Sequence, residues 1–200
     1  MVIYVSPGNQ KGEMFDWGSR LSVAASTANA LALMHQELQN DGIAHGNLKS
    51  SNILMNKDMD PCISEYGLMM VENHDEQFTT QIESIMDDDS QGNKKIFKAD
   101  IYSFGVILLE LLTGKLVENR ASDLAKWVHS VVREEWTAEV FDKALISEGA
   151  SEERMVNLLQ VALRCINPSL DARPSSSQVA VMINSIKGDE EKSTNTSIEL

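Results

Sequence analysis

Residues 45–52 of the chain read His45-Gly46-Asn47-Leu48-Lys49-Ser50-Ser51-Asn52. Before this polar stretch, small and apolar residues recur at helical spacing, which predicts a helix over about residues 20–38 that Asp41-Gly42 ends. After it come two short strand-like runs, at residues 53–55 and 61–64. The sequence therefore predicts a loop with amide and lysine side chains, held between a helix and a small hairpin.

Three further motifs follow in order along the chain. The first places Glu65 thirteen residues after Asn52, in the run Ile63-Ser64-Glu65-Tyr66-Gly67-Leu68. The second opens a stretch that is apolar on nearly every side, as in a buried helix, and reads Lys98-Ala99-Asp100-Ile101-Tyr102-Ser103-Phe104-Gly105-Val106. The third consists of Cys165-Ile166-Asn167-Pro168 and Asp171-Ala172-Arg173-Pro174. Any one of these motifs would be weak evidence for membership of a protein family. Together with residues 45–52 they make four motifs in a defined order and spacing, which is strong evidence.

Together the four motifs resemble the C-terminal lobe of a protein kinase. The likeness is to plant leucine-rich-repeat receptor-like kinases, in particular to atypical inactive members that often read H-G-N-L-K-S-S-N, and it covers roughly residues 1–187. The resemblance implies a mainly α fold, a protein-kinase-like C-lobe with a few short β-strands, and one domain over residues 1–187.

By the same resemblance, the N-terminal lobe of the family is expected to be absent. That lobe supplies a glycine-rich phosphate cover, a strand with a V-A-I-K-like lysine and a helix with the partner glutamate. No G-x-G-x-x-G and no such strand precede Tyr4, and Met1-Val2-Ile3-Tyr4-Val5 resembles the end of the fifth strand and the start of the hinge. A bound ATP is then expected to contact the C-terminal lobe on one side and to lack the N-terminal lobe that covers its phosphates.

The resemblance assigns the catalytic positions to Asn47 and Lys49. An active kinase has an Asp at the position of Asn47, and this Asp accepts the proton of the substrate hydroxyl. A carboxamide cannot accept the proton as a carboxylate can, and losing a positioned general base costs roughly 10²–10⁴ in rate. Lys49 matches the lysine that touches the transferred phosphate, although a loop lysine is more often simply solvated.

Asn52 and Glu65 match the two metal-binding and cofactor-binding positions. Glu65 stands where the family has Asp, and its extra methylene displaces the carboxylate, whereas magnesium demands near-ideal octahedral geometry. For Asn52 the alternative is a hydrogen bond to the loop backbone. We expect no cofactor, and Mg-ATP stays an alternative that the resemblance leaves open.

Three residues are expected to be structural: His45, Asp100 and Arg173. We expect His45 to brace the loop and Asp100 to be buried at the N-terminus of the core helix, where it binds loop amides. Arg173 matches the arginine that pairs in the family with the glutamate of an Ala-Pro-Glu anchor. No such triplet occurs, and Asp87-Asp88-Asp89 stands roughly in its place, so the ion pair is either lost or made by an aspartate.

Composition indicates one globular domain and excludes several functions. The 200 residues are 42% hydrophobic and 24% charged, and the net charge of −13 argues against nucleic acid and anionic lipid as partners. No run approaches the ~18–20 apolar residues that span a bilayer, so we expect no direct membrane insertion and a cytoplasmic location. Cys62 and Cys165 lack metal-ligand spacing and are expected to be buried, reduced thiols.

Further helices are predicted from helical spacing and capping signals. Their ranges are about 101–113, with Gly114 as C-cap, then 122–133, a helix from 151, and 176–186. The polar and acidic tail, residues 188–200, is expected to be disordered.

Three functional hypotheses remain. The leading one is a pseudokinase-type, non-catalytic interaction module of receptor-kinase signalling, whose partners are other signalling proteins or receptor kinases. The second is a weak Ser/Thr protein kinase that transfers phosphate from ATP and needs an N-terminal lobe from elsewhere. The third is a truncated product without folded function, since loss of that lobe would expose apolar surface near Ile3, Leu54 and Tyr66.

Overall fold

The computed structural model describes residues 3–4, 15–56, 60–66, 92–117, 121–133 and 137–198. Asp87-Asp88-Asp89, the predicted replacement for the anchor triplet, lies outside these residues. The described part is mostly helical with a small sheet, which confirms the predicted fold class. None of its helices is long and apolar enough to cross a membrane.

Six α-helices and three β-strands form the described part of the chain. The helices are α1 (Trp17–Leu38), α2 (Gly92–Thr113), α3 (Ala121–Arg133), α4 (Lys143–Ser147), α5 (Glu152–Cys165) and α6 (Ser176–Ile198). The strands β1 (Ile3–Tyr4), β2 (Ile53–Met55) and β3 (Pro61–Ile63) form one antiparallel sheet in that order. Within the core, α1 packs on α6 and on α2, and α2 packs on α5.

Helix α1 begins three residues before the predicted start, because Asp16 caps it. The Asp16 carboxylate accepts a hydrogen bond from the Ser19 N–H at 2.8 Å, and hydrogen bonding by the Ser19 side chain, followed by its N–H, lowers the pKa of the carboxyl. Ala24 and Ala28 are buried on the helix. Such small side chains let α6 approach closely.

Helix α2 is the central pillar of the fold, as the apolar pattern predicts. The side chains of Phe104, Leu108 and Leu112 have no exposed surface. The helix begins at Gly92, so the prediction that it starts near residue 101 is wrong. Its first turns are stabilised by burial of Ile96 against Ala44, a tertiary contact without a local sequence signal.

Glycines allow the close approach of α2 to its neighbours. A Cβ at Gly105 would lie 2.7 Å from the Cβ of Cys165, so only glycine fits where α2 crosses α5. Gly114 ends α2 at φ +68°, as predicted, and a Cβ there would lie 2.5 Å from Asp142 Oδ2. Asp142 in turn caps α4, accepting from the Ala144 N–H at 3.0 Å.

Arg20 forms a buried ion pair that the sequence did not reveal. Its side chain is 1% exposed, and Nη2 lies 2.7 Å from Asp142 Oδ2. Nε donates to the Phe15 carbonyl and Nη1 to the Leu111 carbonyl, both at 2.8 Å. One guanidinium therefore ties the start of α1 to the end of α2 and the start of α4.

Two further predictions are wrong. Cys62 is exposed rather than buried, because β3 lies at an edge of the sheet and successive side chains of a strand point to opposite faces. Helix α6 continues to Ile198, so it does not end near residue 186, and residues 188–198 are helical rather than disordered. Extending a formed helix adds one hydrogen bond per residue, so a polar sequence can continue it.

Candidate functional site

The loop of residues 45–52 is held in place by a carboxylate inside α2. Asp100 is 1% exposed, and its Oδ2 accepts from the His45 N–H at 2.7 Å. Its Oδ1 accepts from the Gly46 N–H at 2.9 Å, and Gly46 takes φ +75°, which favours glycine. Asp100 lies in the ninth position of α2 rather than at its N-terminus, so loop amides and His35, not the helix dipole, stabilise its charge.

His35 and His45 complete this buried frame. His35 Nε2 lies 3.0 Å from Asp100 Oδ2. His45 Nε2 lies 3.0 Å from the Ser64 carbonyl, while its Nδ1 accepts from the Asn47 N–H at 3.2 Å. Both contacts are satisfied by the neutral ring protonated at Nε2. Burial lowers the pKa of His45, although the charge of Asp100 opposes the shift, so the neutral form is favoured.

Asn47, at the base position, presents a hydrogen-bond donor to the cleft. Its Nδ2 donates to Glu65 Oε2 at 3.3 Å. The structure thus brings together the two degenerate positions that the sequence singled out eighteen residues apart. A carboxylate that accepts a proton from substrate is replaced by an amide that donates a hydrogen bond to a neighbouring side chain.

Asn52 braces the loop backbone, the alternative that the sequence left open. It is 4% exposed, and its Nδ2 donates to the Asn47 carbonyl at 2.8 Å. Its own carbonyl accepts from the Ser64 N–H at 2.8 Å and from the Ser64 hydroxyl at 3.0 Å. Asn52 therefore joins the loop to the end of the hairpin.

Glu65 has an unusual backbone conformation. It is exposed and has φ +59°, in the left-handed region that non-glycine residues seldom adopt. The next residue, Tyr66, packs edge-on to His45 with 6.3 Å between ring centroids and stays 39% exposed. Lys49 is exposed, and its ammonium makes no hydrogen bond or ion pair within the described residues.

The residues present do not fit a magnesium ion. Glu65 is the one carboxylate among the cleft positions that the family resemblance assigns, and it already accepts from an amide N–H. Magnesium needs several oxygen ligands in near-octahedral geometry. No group of three or more acidic, histidine or cysteine side chains suited to a metal occurs in the described parts of the chain.

Arg173 is buried with backbone partners in place of a carboxylate. Its Nε donates to the Asn167 carbonyl at 2.7 Å and its Nη1 to the Lys98 carbonyl at 3.0 Å. The guanidinium lies over the Tyr102 ring, 4.9 Å from the centroid, and burial lowers its pKa. Among the described residues no carboxylate pairs with Arg173. Whether an aspartate of residues 87–89 does so stays a prediction.

Glu110 is a buried acid that sequence reasoning missed. It is 5% exposed and accepts from the Val117 N–H at 2.7 Å. Burial raises its pKa, while the bond to Val117 and a side-chain bond to Ser50 act in the opposite sense. The available signal was one charged residue within the otherwise apolar run of residues 104–112.

A groove lies between α5 and α6. It has a volume of about 620 Å³, and its lining includes Arg164, Asp171, Arg173, Val181 and Met182. Among the residues that the structure describes, Arg164 Nη1 contacts a weak acceptor, Met182 Sδ, at 3.6 Å. Val181 is 70% exposed. The groove is thus partly apolar and is lined by one exposed guanidinium, that of Arg164, by the buried Arg173 and by one carboxylate.

Comparisons with known proteins agree with this geometry. A family model described as the protein kinase domain matches residues 9–182. A probable inactive receptor kinase of Arabidopsis thaliana is 41% identical over an alignment of 177 residues, which covers 86% of this chain and 28% of that protein. A probable leucine-rich repeat receptor-like protein kinase of the same plant is 40% identical over 183 residues, or 86% of this chain and 27% of that protein.

Comparison with solved structures also shows similarity to a pseudokinase domain. The pseudokinase domain of BIR2, an immune regulator of the RLK/Pelle family, matches with a TM-score of 0.71 at 28% identity, over 88% of this chain and 54% of that one. The predicted resemblance to inactive plant receptor-like kinases is therefore confirmed. The chain spans less than a third of the length of the curated relatives named above.

Proposed function

Because the chain belongs to the protein kinase domain family and has an amide where that family has its base, we propose that it is a non-catalytic interaction module of receptor-kinase signalling. Its pseudokinase character is shared with the inactive receptor kinases and the pseudokinase domain to which it is similar. The proposed partners are other signalling proteins or receptor kinases, and the proposed location is the cytoplasm.

The observation that carries this proposal is the hydrogen bond from Asn47 Nδ2 to Glu65 Oε2. It supports a site in which the residue at the base position donates a hydrogen bond, and the residue at the metal-binding position already accepts one. The frame around the site is complete without nucleotide, since Asp100 accepts from the N–H groups of His45 and Gly46, and Asn52 donates to the Asn47 carbonyl. Such a loop suits a rigid scaffold better than a site that must accept and release a substrate.

The groove between α5 and α6 supports binding of a partner. The chain carries a net charge of −13, so an acidic segment is repelled by most of its surface. At the groove, Arg164 and Arg173 outweigh Asp171, and Val181 offers an apolar contact. We therefore propose that the groove takes a partner segment with carboxylates beside an apolar side chain.

A crosslinking experiment tests this surface. A photoreactive amino acid at position 181 should capture a signalling partner in plant cells, and the same group at exposed position 146 should not. Arg164→Glu should abolish capture at position 181 because it reverses the charge that attracts the acidic segment. Equal capture at both positions, or capture that survives Arg164→Glu, would contradict the proposed groove.

The second hypothesis, a weak kinase, is tested by phosphate transfer. The wild-type chain, incubated with radiolabelled ATP, magnesium and a generic protein substrate, should transfer no phosphate above the background of a heat-denatured sample. Transfer that is lost in Asn52→Ala and in Glu65→Ala would support the kinase hypothesis. The third hypothesis, a product without folded function, predicts no cooperative unfolding, whereas the buried core described above predicts a single cooperative transition.

A further inference from the structure

We propose that Met182 is a site of reversible oxidation, and that its sulfoxide regulates the groove between α5 and α6 by holding the Arg164 guanidinium. The effect on partner binding rests on the proposed function, because it takes the groove to bind an acidic partner segment. The oxidation and the contact with Arg164 concern two side chains of this chain alone, so they are tested without a partner.

The sulfur of Met182 lies beside an exposed cation. Arg164 Nη1 is 3.6 Å from Met182 Sδ, and both residues line the groove. Met182 is half-buried and packs on the core, whereas Arg164 is exposed. Of the residues that the structure describes, none with a carboxylate forms a salt bridge with Arg164. The exposed cation of the groove thus has beside it a thioether, which is a weak hydrogen-bond acceptor.

A small oxidant can reach this sulfur. The contact between Arg164 and Met182 lies at the surface, in a groove with a volume of about 620 Å³. Two other methionines, Met55 and Met155, are each 2% exposed. Oxidation of a thioether requires contact with the oxidant, so Met182 should be oxidised before either of the two buried methionines.

Oxidation changes the acceptor that faces Arg164. A hydroperoxide such as hydrogen peroxide transfers one oxygen atom to the Met182 sulfur. The O–O bond of the peroxide breaks and an S–O bond forms, so the sulfur loses two electrons and the peroxide is reduced to water. The sulfoxide oxygen carries partial negative charge and accepts a hydrogen bond from a guanidinium far better than a thioether does. Methionine sulfoxide reductases restore the thioether.

The sulfoxide competes with a partner for the exposed cation of the groove. Its oxygen is bonded to a sulfur that already contacts Arg164 Nη1, so a rotation of the two side chains is enough to form the hydrogen bond. A guanidinium that donates to the sulfoxide is less available to a carboxylate of a partner. An acidic segment should therefore bind the reduced groove more tightly than the oxidised one.

The first test needs no partner and measures the reactivity of Arg164 with phenylglyoxal, a reagent that modifies arginine side chains. The chain is treated with hydrogen peroxide, and peptide mass spectrometry follows oxygen addition to Met182 and phenylglyoxal addition to Arg164. Met182 should be oxidised faster than Met155. After oxidation Arg164 should react about fivefold more slowly, the factor that corresponds to a hydrogen bond of about 1 kcal/mol. A methionine sulfoxide reductase should restore the original rate.

Two substitutions at position 182 separate this hydrogen bond from other effects of peroxide. Met182→Leu keeps an apolar side chain that peroxide does not oxidise, so peroxide should leave its Arg164 rate unchanged. Met182→Gln supplies an amide oxygen as acceptor, so it should slow Arg164 without peroxide. Equal oxidation of Met182 and Met155, or an Arg164 rate that oxidation does not alter, would overturn the inference. If oxidation unfolds the chain, a slowed Arg164 in Met182→Gln supports the inference, and an unchanged rate overturns it.

The second test measures partner binding by crosslinking at position 181. Capture should fall in Met182→Gln and persist in Met182→Leu. Equal capture in both variants would overturn the regulation while the proposed function stands. Absence of capture in the wild type would refute the proposed function, and with it the effect on the groove, whereas the phenylglyoxal rates would still decide whether the sulfoxide holds Arg164.

Discussion

Replacing Asp100 by alanine should destabilise the whole domain, although the residue lies beside the candidate site. The change removes the acceptor of two loop N–H groups, His45 and Gly46, and the partner of His35. His45 is completely buried, so water cannot replace the lost partner. Each buried donor left without an acceptor costs about 1–3 kcal/mol, and here one carboxylate serves two N–H groups and His35.

Because these contributions share one carboxylate and do not add fully, we expect a loss of about 3–5 kcal/mol in the free energy of unfolding. For a domain of this size, each kcal/mol lowers the unfolding midpoint by about 2–4 °C, which gives a fall of roughly 6–20 °C for Asp100→Ala. The assay is thermal unfolding followed by circular dichroism, at pH 7.5.

Two variants serve as controls for this experiment. Asp100→Asn keeps the volume but offers one acceptor oxygen, so its midpoint should lie between wild type and Asp100→Ala. Asp171 is an exposed carboxylate in a turn, and Asp171→Ala should change the unfolding free energy by less than about 0.5 kcal/mol. A midpoint for Asp100→Ala within 2 °C of wild type, equal to less than about 1 kcal/mol, would refute the claim that Asp100 holds the loop.

Three further predictions concern other parts of the frame. Arg20→Met should cost about 3 kcal/mol by urea unfolding, because it leaves the Asp142 carboxylate and two carbonyls without their buried partner; a cost below 1 kcal/mol would contradict this account. His45→Gln should flatten the pH dependence of stability. Because the pKa of His45 is lowered in the folded chain, the unfolded chain binds a proton first, and wild-type stability falls as pH drops below about 6.5 toward the folded-state pKa. A slope of stability against pH that is unchanged between pH 7.5 and 5 in the variant would contradict this prediction. Gly105→Ala should lower stability by about 1–3 kcal/mol in the same urea assay despite the better helix propensity of alanine, because its Cβ would lie 2.7 Å from the Cβ of Cys165; a stabilised variant would show that α2 and α5 can separate without cost.

Local patterns were sufficient to predict most of the fold. The small-residue spacing of α1, the two short strands and the apolar run of α2 up to Gly114 are all signals within one element. Where the prediction was wrong, the structure depends on contacts between elements that are distant in sequence. The early start of α2 depends on burial of Ile96 against Ala44, and the exposure of Cys62 depends on β3 being an edge strand.

The candidate site was predicted in its residues but not in its contacts. Asn47, Asn52 and Glu65 could be singled out because their spacing matches a known loop. The bond between Asn47 and Glu65 could not, since it depends on the left-handed conformation of Glu65, which no local signal marks. The ion pair of Arg20 with Asp142 was also out of reach, because it joins residues 122 positions apart and has no motif.

Thermal unfolding of the wild-type chain with and without Mg-ATP, up to millimolar concentration, tests the central claim most directly. A nucleotide that binds only the folded form at a hundred times its dissociation constant adds about 2.7 kcal/mol of stability, a rise of roughly 5–10 °C here. Glu65 already accepts a hydrogen bond from Asn47, and it is the single carboxylate at the cleft positions that the family resemblance assigns. We therefore predict no change in the unfolding midpoint on addition of Mg-ATP. A clear rise that disappears in Glu65→Ala or Asn52→Ala would contradict the claim that this cleft no longer binds nucleotide.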